Sequence, residues 1–397
     1  MKVIFYTIII LSTLYFANSE KQYKLNKNLL SSFINNRLSA KEKFKLYHYI
    51  FQKPYNLNSY FALERYKIFK SNLEMFEEHN KKDLGYKLGI TPFADLTMDE
   101  FEEYYLNGID NDMLNSFVEK VNNNPENYKN NFIDENIFNN KFLQNEIDEK
   151  NKLSSNTFIK NEYKSLEDDF HSNYVSTDYS YTWKGVKDQL RCNSCWAFSV
   201  VGVVESFYYL NYSQHKSFSE QVLMDCNSKV NGCFGGWFDY SYDIIKYSGL
   251  PLESEYPYQQ KKLSCKKYKT AVKLIGYKFC MTSLGHFKSH FECTDKIIND
   301  FLKSGPYTAP IELPRILSYY TEGIIPSDKC KKANHSMIVV YINRKEKYIK
   351  VKNSWGPNWG ENGYGKYKIE YSVSNSAVNT CFALNFAFQP YGIISYS

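Results

Sequence analysis

The chain has 397 residues, 43% of them hydrophobic and 23% charged, a balance that excludes whole-chain disorder. At roughly 100–200 residues per domain there is room for two or three units. The formal charge of +6 is mild for that length. No Lys/Arg run is long enough to serve as a nucleic-acid arm.

Residues 1–19 read as a secretory signal. Lys2 is the positive flank, Val3 to Phe16 is apolar, and Ala17-Asn18-Ser19 is a small-x-small cleavage site. The alternative is an uncleaved anchor, but the run falls short of the ~20 apolar residues that cross a bilayer. No later segment is apolar for long enough, so no stable membrane span is expected. Secretory entry means oxidising conditions, in which cysteines pair.

Residues 40–53 and 57–82 read as helices separated by Pro54. In the second, Leu63, Tyr66, Phe69, Leu73 and Phe76 recur at three- and four-residue spacing, the mark of one buried face. A short strand is expected around Gly85–Ile90, followed by Thr91-Pro92-Phe93-Ala94-Asp95. Residues 106–174 read differently. Nine of the twenty residues at 121–140 are Asn, and the segment is expected to be a solvated, flexible linker containing the processing site. All nine cysteines and all five tryptophans lie beyond residue 180. Residues 175–397 are therefore expected to form one cored, disulfide-bonded unit.

The chemically informative string is Gln189-Leu190-Arg191-Cys192-Asn193-Ser194-Cys195-Trp196-Ala197-Phe198-Ser199, followed by an apolar helix from 200 to 210. Cys195 then stands at a helix N-terminus, where unpaired N–H groups favour thiolate over thiol. A helix end plus an imidazolium can bring a cysteine to a pKa of roughly 3–4. Downstream histidines are His215, His286, His290 and His335. Of these, only His335 directly precedes an apolar strand, Met337–Val340. Nine cysteines is an odd number, which suggests one free thiol in a secreted chain.

The string resembles the papain and cathepsin cysteine proteases, and the resemblance covers nearly the whole chain. It implies an α+β, two-lobe papain-like fold: a helical lobe and a β-barrel-like lobe with the cleft between them, preceded by a helical inhibitory propeptide. The expected division is signal 1–19, propeptide 20–105, linker 106–174 and catalytic domain 175–397. By the same resemblance Cys195 is the nucleophile, His335 the base, and Asn353, in Asn353-Ser354-Trp355-Gly356, the orienting amide. Trp355 would cover that pair. Gln189 and the Cys195 backbone N–H would form the oxyanion hole. No metal or organic cofactor is implied.

The resemblance further implies disulfides Cys192–Cys233, Cys226–Cys265 and Cys330–Cys381. Cys280 and Cys293 remain; they either close a small loop or stay free. Gly235 and Gly236 resemble the glycine pair against which substrate backbone lies. Trp237, Phe238, Pro310, Ser336 and Phe386 would border the pocket for the residue two before the cut, shaping it for Leu, Val or Phe and against Arg. Two positions depart from the family pattern. Leu190 and Asn193 stand where it has glycines, and Asn193 is expected either to narrow the site for the residue just before the cut or to weaken activity.

Arg65, Phe69, Asn72 and Asn80 match the helix motif of cathepsin L-type propeptides, and Gly89, Phe93 and Asp95 match the one that follows. Phe61, Phe76 and Thr91 depart from these motifs. Asp95 is the expected acid sensor, because paired carboxylates lose their partners on protonation. Asn211-Tyr212-Ser213 is a candidate glycosylation site. Expected partners are protein and peptide substrates, the chain's own propeptide, and inhibitors of the cystatin kind, for a monomer that binds no nucleic acid. The expected location is the secretory pathway, either an acidic vacuole or lysosome or the outside of the cell. The rival readings are a catalytically silent binding scaffold and an exopeptidase.

Overall fold

The computed structural model describes residues 38–131, 174–282, 289, 291–327, 330, 332–371, 377–379 and 381–396. The candidate signal, residues 132–173 of the linker, and His286 and His290 lie outside them.

The N-terminal segment opens with two helices packed on each other, α1 (Ala40–Ile50) and α2 (Tyr60–Lys81). Both start on serine caps. Ser39 forms a reciprocal box with Glu42, and Ser59 accepts from the Ala62 N–H, satisfying N–H groups that a helix start leaves free. The buried side of α2 is set by Ala62, Arg65, Phe69, Phe76 and His79. Leu63, assigned above to that side, is instead 48% exposed. It lies one residue off the 3.6-residue phase that Phe69 and Phe76 fix.

Strand β1 (Tyr86–Leu88) and helix α3 (Met98–Tyr105) follow. Residues 106–131, read above as the start of a flexible linker, are built into the fold. Leu106 and Ile109 are buried, helix α4 runs Asn111–Asn123, and a 3-10 turn covers Pro125–Asn131. The Asn-rich composition hid a second amphipathic pattern. Phe117 and Val121, four residues apart, are both buried.

Beyond residue 174, helices α5 (Cys195–Tyr212), α6 (Gln221–Asp225) and α7 (Phe238–Tyr247) gather on one side. Helix α5 is apolar all round and buried through Tyr208, as expected for a helix at the centre of a lobe. The other side is an eight-stranded sheet, with helix α8 (Asp295–Ser304) packed against it. Its strand order is β1-β4-β7-β6-β5-β3-β10-β2, for β2 (Val272–Met281), β3 (Tyr307–Ile311), β4 (Tyr320–Ile325), β5 (His335–Asn343), β6 (Tyr348–Lys352), β7 (Tyr364–Lys368) and β10 (Phe386–Ser395). A small pair, β8 (Glu370–Tyr371) and β9 (Ala377–Asn379), stands apart.

The sheet's first strand comes from the N-terminal segment. β1 pairs antiparallel with β4, Lys87 opposite Glu322, so main-chain bonds tie that segment to the sheet edge. No described helix is long and apolar enough to cross a membrane.

Four disulfides join Cys192–Cys233, Cys226–Cys265, Cys280–Cys293 and Cys330–Cys381. They leave Cys195 as the free thiol among the described residues.

Candidate active site

Cys195 is the first residue of α5, and the Ser194 side chain before it makes no capping hydrogen bond. Its sulfur is reached by the backbone N–H groups of Ser336, Trp196 and Cys195 itself. His335, immediately before Ser336, opens β5, so the helical side and the sheet side meet at this point. Asn353 follows the end of β6, which pairs with β5 at Ile338–Lys352. The register brings the two side chains together, and the His335 Nε2–Asn353 Oδ1 distance is 2.8 Å. Asn353 Oδ1 also accepts from the Ser354 N–H at 2.8 Å, which fixes the amide. Among the described residues His335 Nδ1 is buried with no well-formed hydrogen bond, the Tyr105 carbonyl lying nearby.

Trp355 lies over the imidazole, ring centroids 4.7 Å apart. Trp359 meets it edge-on at 5.3 Å. Gln189 is fully buried and held at both ends of its amide. Nε2 donates to the Cys192 carbonyl at 2.8 Å, and Oε1 accepts from Ser354 Oγ at 2.6 Å. An amide nitrogen has two protons, so one Nε2 proton remains beside the Cys195 helix end.

The N-terminal segment closes this site. Phe93, Phe101 and Tyr105 set ring edges around Trp355 at 5.6, 5.0 and 6.2 Å. The chain then passes over the thiol. The Gly108 N–H donates to the Asn334 carbonyl at 3.2 Å, and the Gly108 carbonyl accepts from the Gly236 N–H at 3.2 Å. Ile109 pairs with Gly236 as a parallel bridge. Side chains have no room on either strand here. A Cβ on Gly236 would lie 2.6 Å from the Trp196 ring, and one on Gly108 would overlap the Cys195 sulfur.

Burial has an electrical consequence. It pushes the Cys195 thiol up to about 12, and the three backbone N–H groups offset only part of this. Burial likewise pushes His335 down to about 4, against the Asn353 hydrogen bond and the nearby Tyr105 carbonyl. The standing thiolate expected from the sequence is therefore not the state of the covered cleft. Without water, both partners stay neutral.

The other expected residues are placed as follows. Asn193 points at the N-terminal segment. Its Oδ1 accepts from the Asn107 N–H at 3.2 Å, and its Nδ2 donates to the Glu103 carbonyl at 2.9 Å. Trp237 and Phe238 stack at 4.5 Å, and Phe386 meets Trp237 edge-on at 6.1 Å. Pro310 and Ser336 are cross-strand neighbours. Gly235 adopts φ +113°, a backbone region that glycine enters without cost. His215 lies elsewhere, against the Thr182 carbonyl and the Tyr209 ring. Leu190 holds a left-handed φ of +52°, which a leucine tolerates at a cost of about 1–2 kcal/mol.

The inhibitor motif residues each tie one element to another. Asp95, 1% exposed, accepts from Tyr47 Oη at 2.6 Å and Tyr55 Oη at 2.7 Å, and pairs with Lys53 at 2.8 Å. Arg65 grips Glu100 with two bonds of 2.8 and 2.7 Å and also donates to the Asp95 carbonyl. Asn72 donates to the Ala94 and Leu96 carbonyls, and Asn80 exchanges two bonds with Leu88. Phe69 is the core of α2. Gly89 donates its N–H to the Tyr319 carbonyl across to the sheet side.

Sequence reasoning missed the charged group behind the site. Lys187 bridges Glu205 and Glu220, each at 2.7 Å, and Lys352 is buried beside Asn353 and pushed down to about 8 by desolvation. It also missed Gly108, although Leu106-Asn107-Gly108-Ile109, a glycine between apolar residues, was a usable signal.

Residues 175–385 match the family model described as papain family cysteine protease. Residues 44–101 match the cathepsin propeptide inhibitor domain. Papaya proteinase 4 of Carica papaya is 28% identical over 337 residues, 83% of this chain and 80% of that protein. Caricain, also of Carica papaya, is 30% identical over 303 residues, 75% of this chain and 73% of that one. Among solved structures, digestive procathepsin L 3 of Tenebrio molitor larval midgut aligns with a TM-score of 0.65 at 24% identity, covering 90% of this chain and 100% of that one. At that identity the likeness speaks for the fold.

Proposed function

Because the chain belongs to the papain family of cysteine proteases and carries a cathepsin-type inhibitor propeptide, we propose that it is a secretory-pathway endopeptidase made as a zymogen. Cys195 is its nucleophile. In the opened cleft water returns, and the helix end and His335 draw the thiol toward thiolate. The sulfur attacks the peptide carbonyl, and His335 gives its proton to the leaving amine. Water, deprotonated by His335, then cleaves the thioester and restores the thiol–imidazole pair. Asn353 keeps the ring aimed, and Trp355 keeps water off that hydrogen bond. The Cys195 N–H and the spare Gln189 proton stabilise the oxyanion, a contribution worth about 10²–10³ in rate per donor.

The observation that carries this reading is the meeting of Cys195 with the β5 start, where His335 is already bonded to Asn353. Specificity is read from the segment now occupying the cleft. Ile109 lies beside Gly236 and is buried in the same apolar cluster as Trp237 and Phe386. A substrate residue two before the cut therefore finds an apolar pocket bordered by Phe238, Pro310, Ser336 and Phe386. Leu, Val or Phe suits it, and none of these four bordering side chains is a carboxylate that would hold Arg. The four disulfides and the leader-like residues 1–19 support the secretory route.

The test is incubation of the full chain at acid pH, followed by N-terminal sequencing and assay on end-blocked peptides. The native chain is expected to process itself and to cleave Leu-containing peptides well above Arg-containing ones, and Cys195→Ser is expected to do neither. Unchanged processing in Cys195→Ser, with no peptide turnover by the native chain, would overturn the proteolytic reading.

A further inference from the structure

The matched inhibitor domain ends at residue 101, and the segment over the thiol ends near Asp110. The chain does not leave the surface there. Asp110 Oδ1 caps helix α4 by accepting from the Asp112 and Met113 N–H groups, both at 3.1 Å. Its second oxygen accepts from Asn231 Nδ2 at 3.2 Å, and Asn111 Nδ2 donates to the Ala333 carbonyl at 3.3 Å. The helix start is thus pinned to both sides of the cleft.

Helix α4 then presents an apolar side to the catalytic domain. Phe117 is 1% exposed. It contacts Phe279 at 5.2 Å, Phe388 at 5.5 Å and Trp237 at 6.1 Å. Those three residues come from β2, β10 and the turn before α7, so they form one aromatic groove. Val121, a turn further on, is fully buried. Tyr128, in the turn after the helix, closes back on Phe279 at 6.0 Å. The opposite side of α4 is polar, with Asn115, Ser116 and Glu119 exposed. Lys120, at the rim, places its charge toward the buried carboxylate of Asp239.

We infer that this aromatic groove is a docking site for an amphipathic helix, and that α4 of the chain's own propeptide is its occupant. The helix acts as a second lock beyond the inhibitor domain. With α3 anchored on one side of the cleft and α4 on the other, residues 106–110 are held taut over Cys195 from both ends. Helix-in-groove recognition of this kind takes its affinity from a few spaced apolar anchors, here Phe117 and Val121. The inference deepens the zymogen reading and rests on it for what the lock prevents, while docking itself is measured without catalysis.

The experiment uses the full chain. Phe117→Asp and Val121→Asp remove the anchors, Phe117→Leu keeps an apolar one, Lys120→Glu reverses the rim charge that faces Asp239 and Tyr128, and Asn115→Ala is the control. Docking is read in the Cys195→Ser background, as the rate at which trypsin cuts at Lys120 or, for Lys120→Glu, proteinase K cuts within 111–123. The lock is read in the Cys195 background as the rate at which a neutral haloacetamide alkylates Cys195, and in parallel as the rate of acid activation. Each Asp variant is expected to be cut and alkylated roughly tenfold faster or more, from the loss of a buried apolar anchor. Lys120→Glu should give a roughly two- to fivefold effect, while Phe117→Leu and Asn115→Ala stay near the native chain. If the Asp variants are cut no faster, the helix is not docked and the inference fails. If they are cut faster but Cys195 is alkylated at the native rate, the lock fails. Faster alkylation in a chain that cleaves no peptide would uphold the lock and sink the catalytic reading instead.

Discussion

Gly108 lies directly on Cys195. A Cβ on that glycine would overlap the sulfur and come within 2.9 Å of the Asn193 carbonyl oxygen. The nucleophile is therefore covered by bare backbone, at a position where no other residue fits without displacement. Gly108→Ala should push residues 106–110 off the thiol. Overpacking a filled site costs about 1–3 kcal/mol, and each 1.4 kcal/mol is a factor of ten in the closed-to-open ratio. The expected result is a zymogen that labels with a thiol reagent roughly ten times faster or more. Once the chain is cut beyond residue 108 and the released part removed, kcat and KM should be unchanged. Labelling at the native rate would mean that the cleft segment does not rest on the sulfur.

Asn193 explains why a side chain stands where the family pattern has glycine. Its amide holds the propeptide main chain at Asn107 and Glu103. Net contributions of about 0.5–1.5 kcal/mol per hydrogen bond put the pair at about 1–3 kcal/mol, a factor of roughly 5 to 150. Asn193→Gly should speed acid activation by about that factor, and in the mature enzyme should change kcat/KM for small peptides far less. A large loss of kcat/KM with unchanged activation would assign the residue to substrate instead.

The site was legible because its parts are local strings. A cysteine before an apolar helix and an Asn-Ser-Trp-Gly turn after a strand each carry their geometry with them. The two long helices were legible from their periodicity, with Leu63 misplaced because a single apolar residue off phase cannot be told from one on it. Helix α4 was not legible. Asn-rich composition dominated the window, and only docking on Phe279 and Phe388, residues more than 150 positions away in sequence, gives Phe117 something to bury against. The partners of Asp95 were hidden for the same reason. Tyr47, Lys53 and Tyr55 converge on it from α1 and the turn that follows, and nothing in their own spacing announces a carboxylate. The neutral state of Cys195 was also out of reach, since it depends on the cover and not on the helix end.

That neutral state has a kinetic signature. With its pKa pushed up to about 12, roughly 10⁻⁵ of the thiol is ionised at pH 7 in the closed zymogen. Alkylation of Cys195 in the intact chain should stay slow through neutral pH and climb only toward strongly alkaline solution. After removal of the propeptide the same profile should rise several units lower, because water and an available imidazole then favour the thiolate. Superimposable profiles before and after removal would show that burial is not what holds the thiol neutral.

Acid opening of the zymogen should depend on the Arg65–Glu100 pair. The guanidinium beside Glu100 holds its carboxyl below the ordinary range, with help from the Thr97 N–H. A carboxylate depressed in the closed state stabilises that state fully above its unfolded pKa of about 4.3 and loses the effect as pH falls through the lower, folded value. The lock therefore weakens as the solution becomes acid, the direction an activation trigger needs. Arg315, which pairs with Asp99 and Glu102 across to the catalytic domain, is nearly half exposed, and water screens it to a small contribution. Glu100→Gln mimics the protonated state at every pH. It should activate roughly two- to fivefold faster near pH 5, the scale of a partly exposed pair, and lose much of its difference from the native chain below pH 4. Arg65→Gln should be the more severe of the two, since it also loses the bond to the Asp95 carbonyl, and the double variant should add little beyond Arg65→Gln, because the shared pair is already gone. An unchanged activation profile in Glu100→Gln would show that this pair is not the acid trigger.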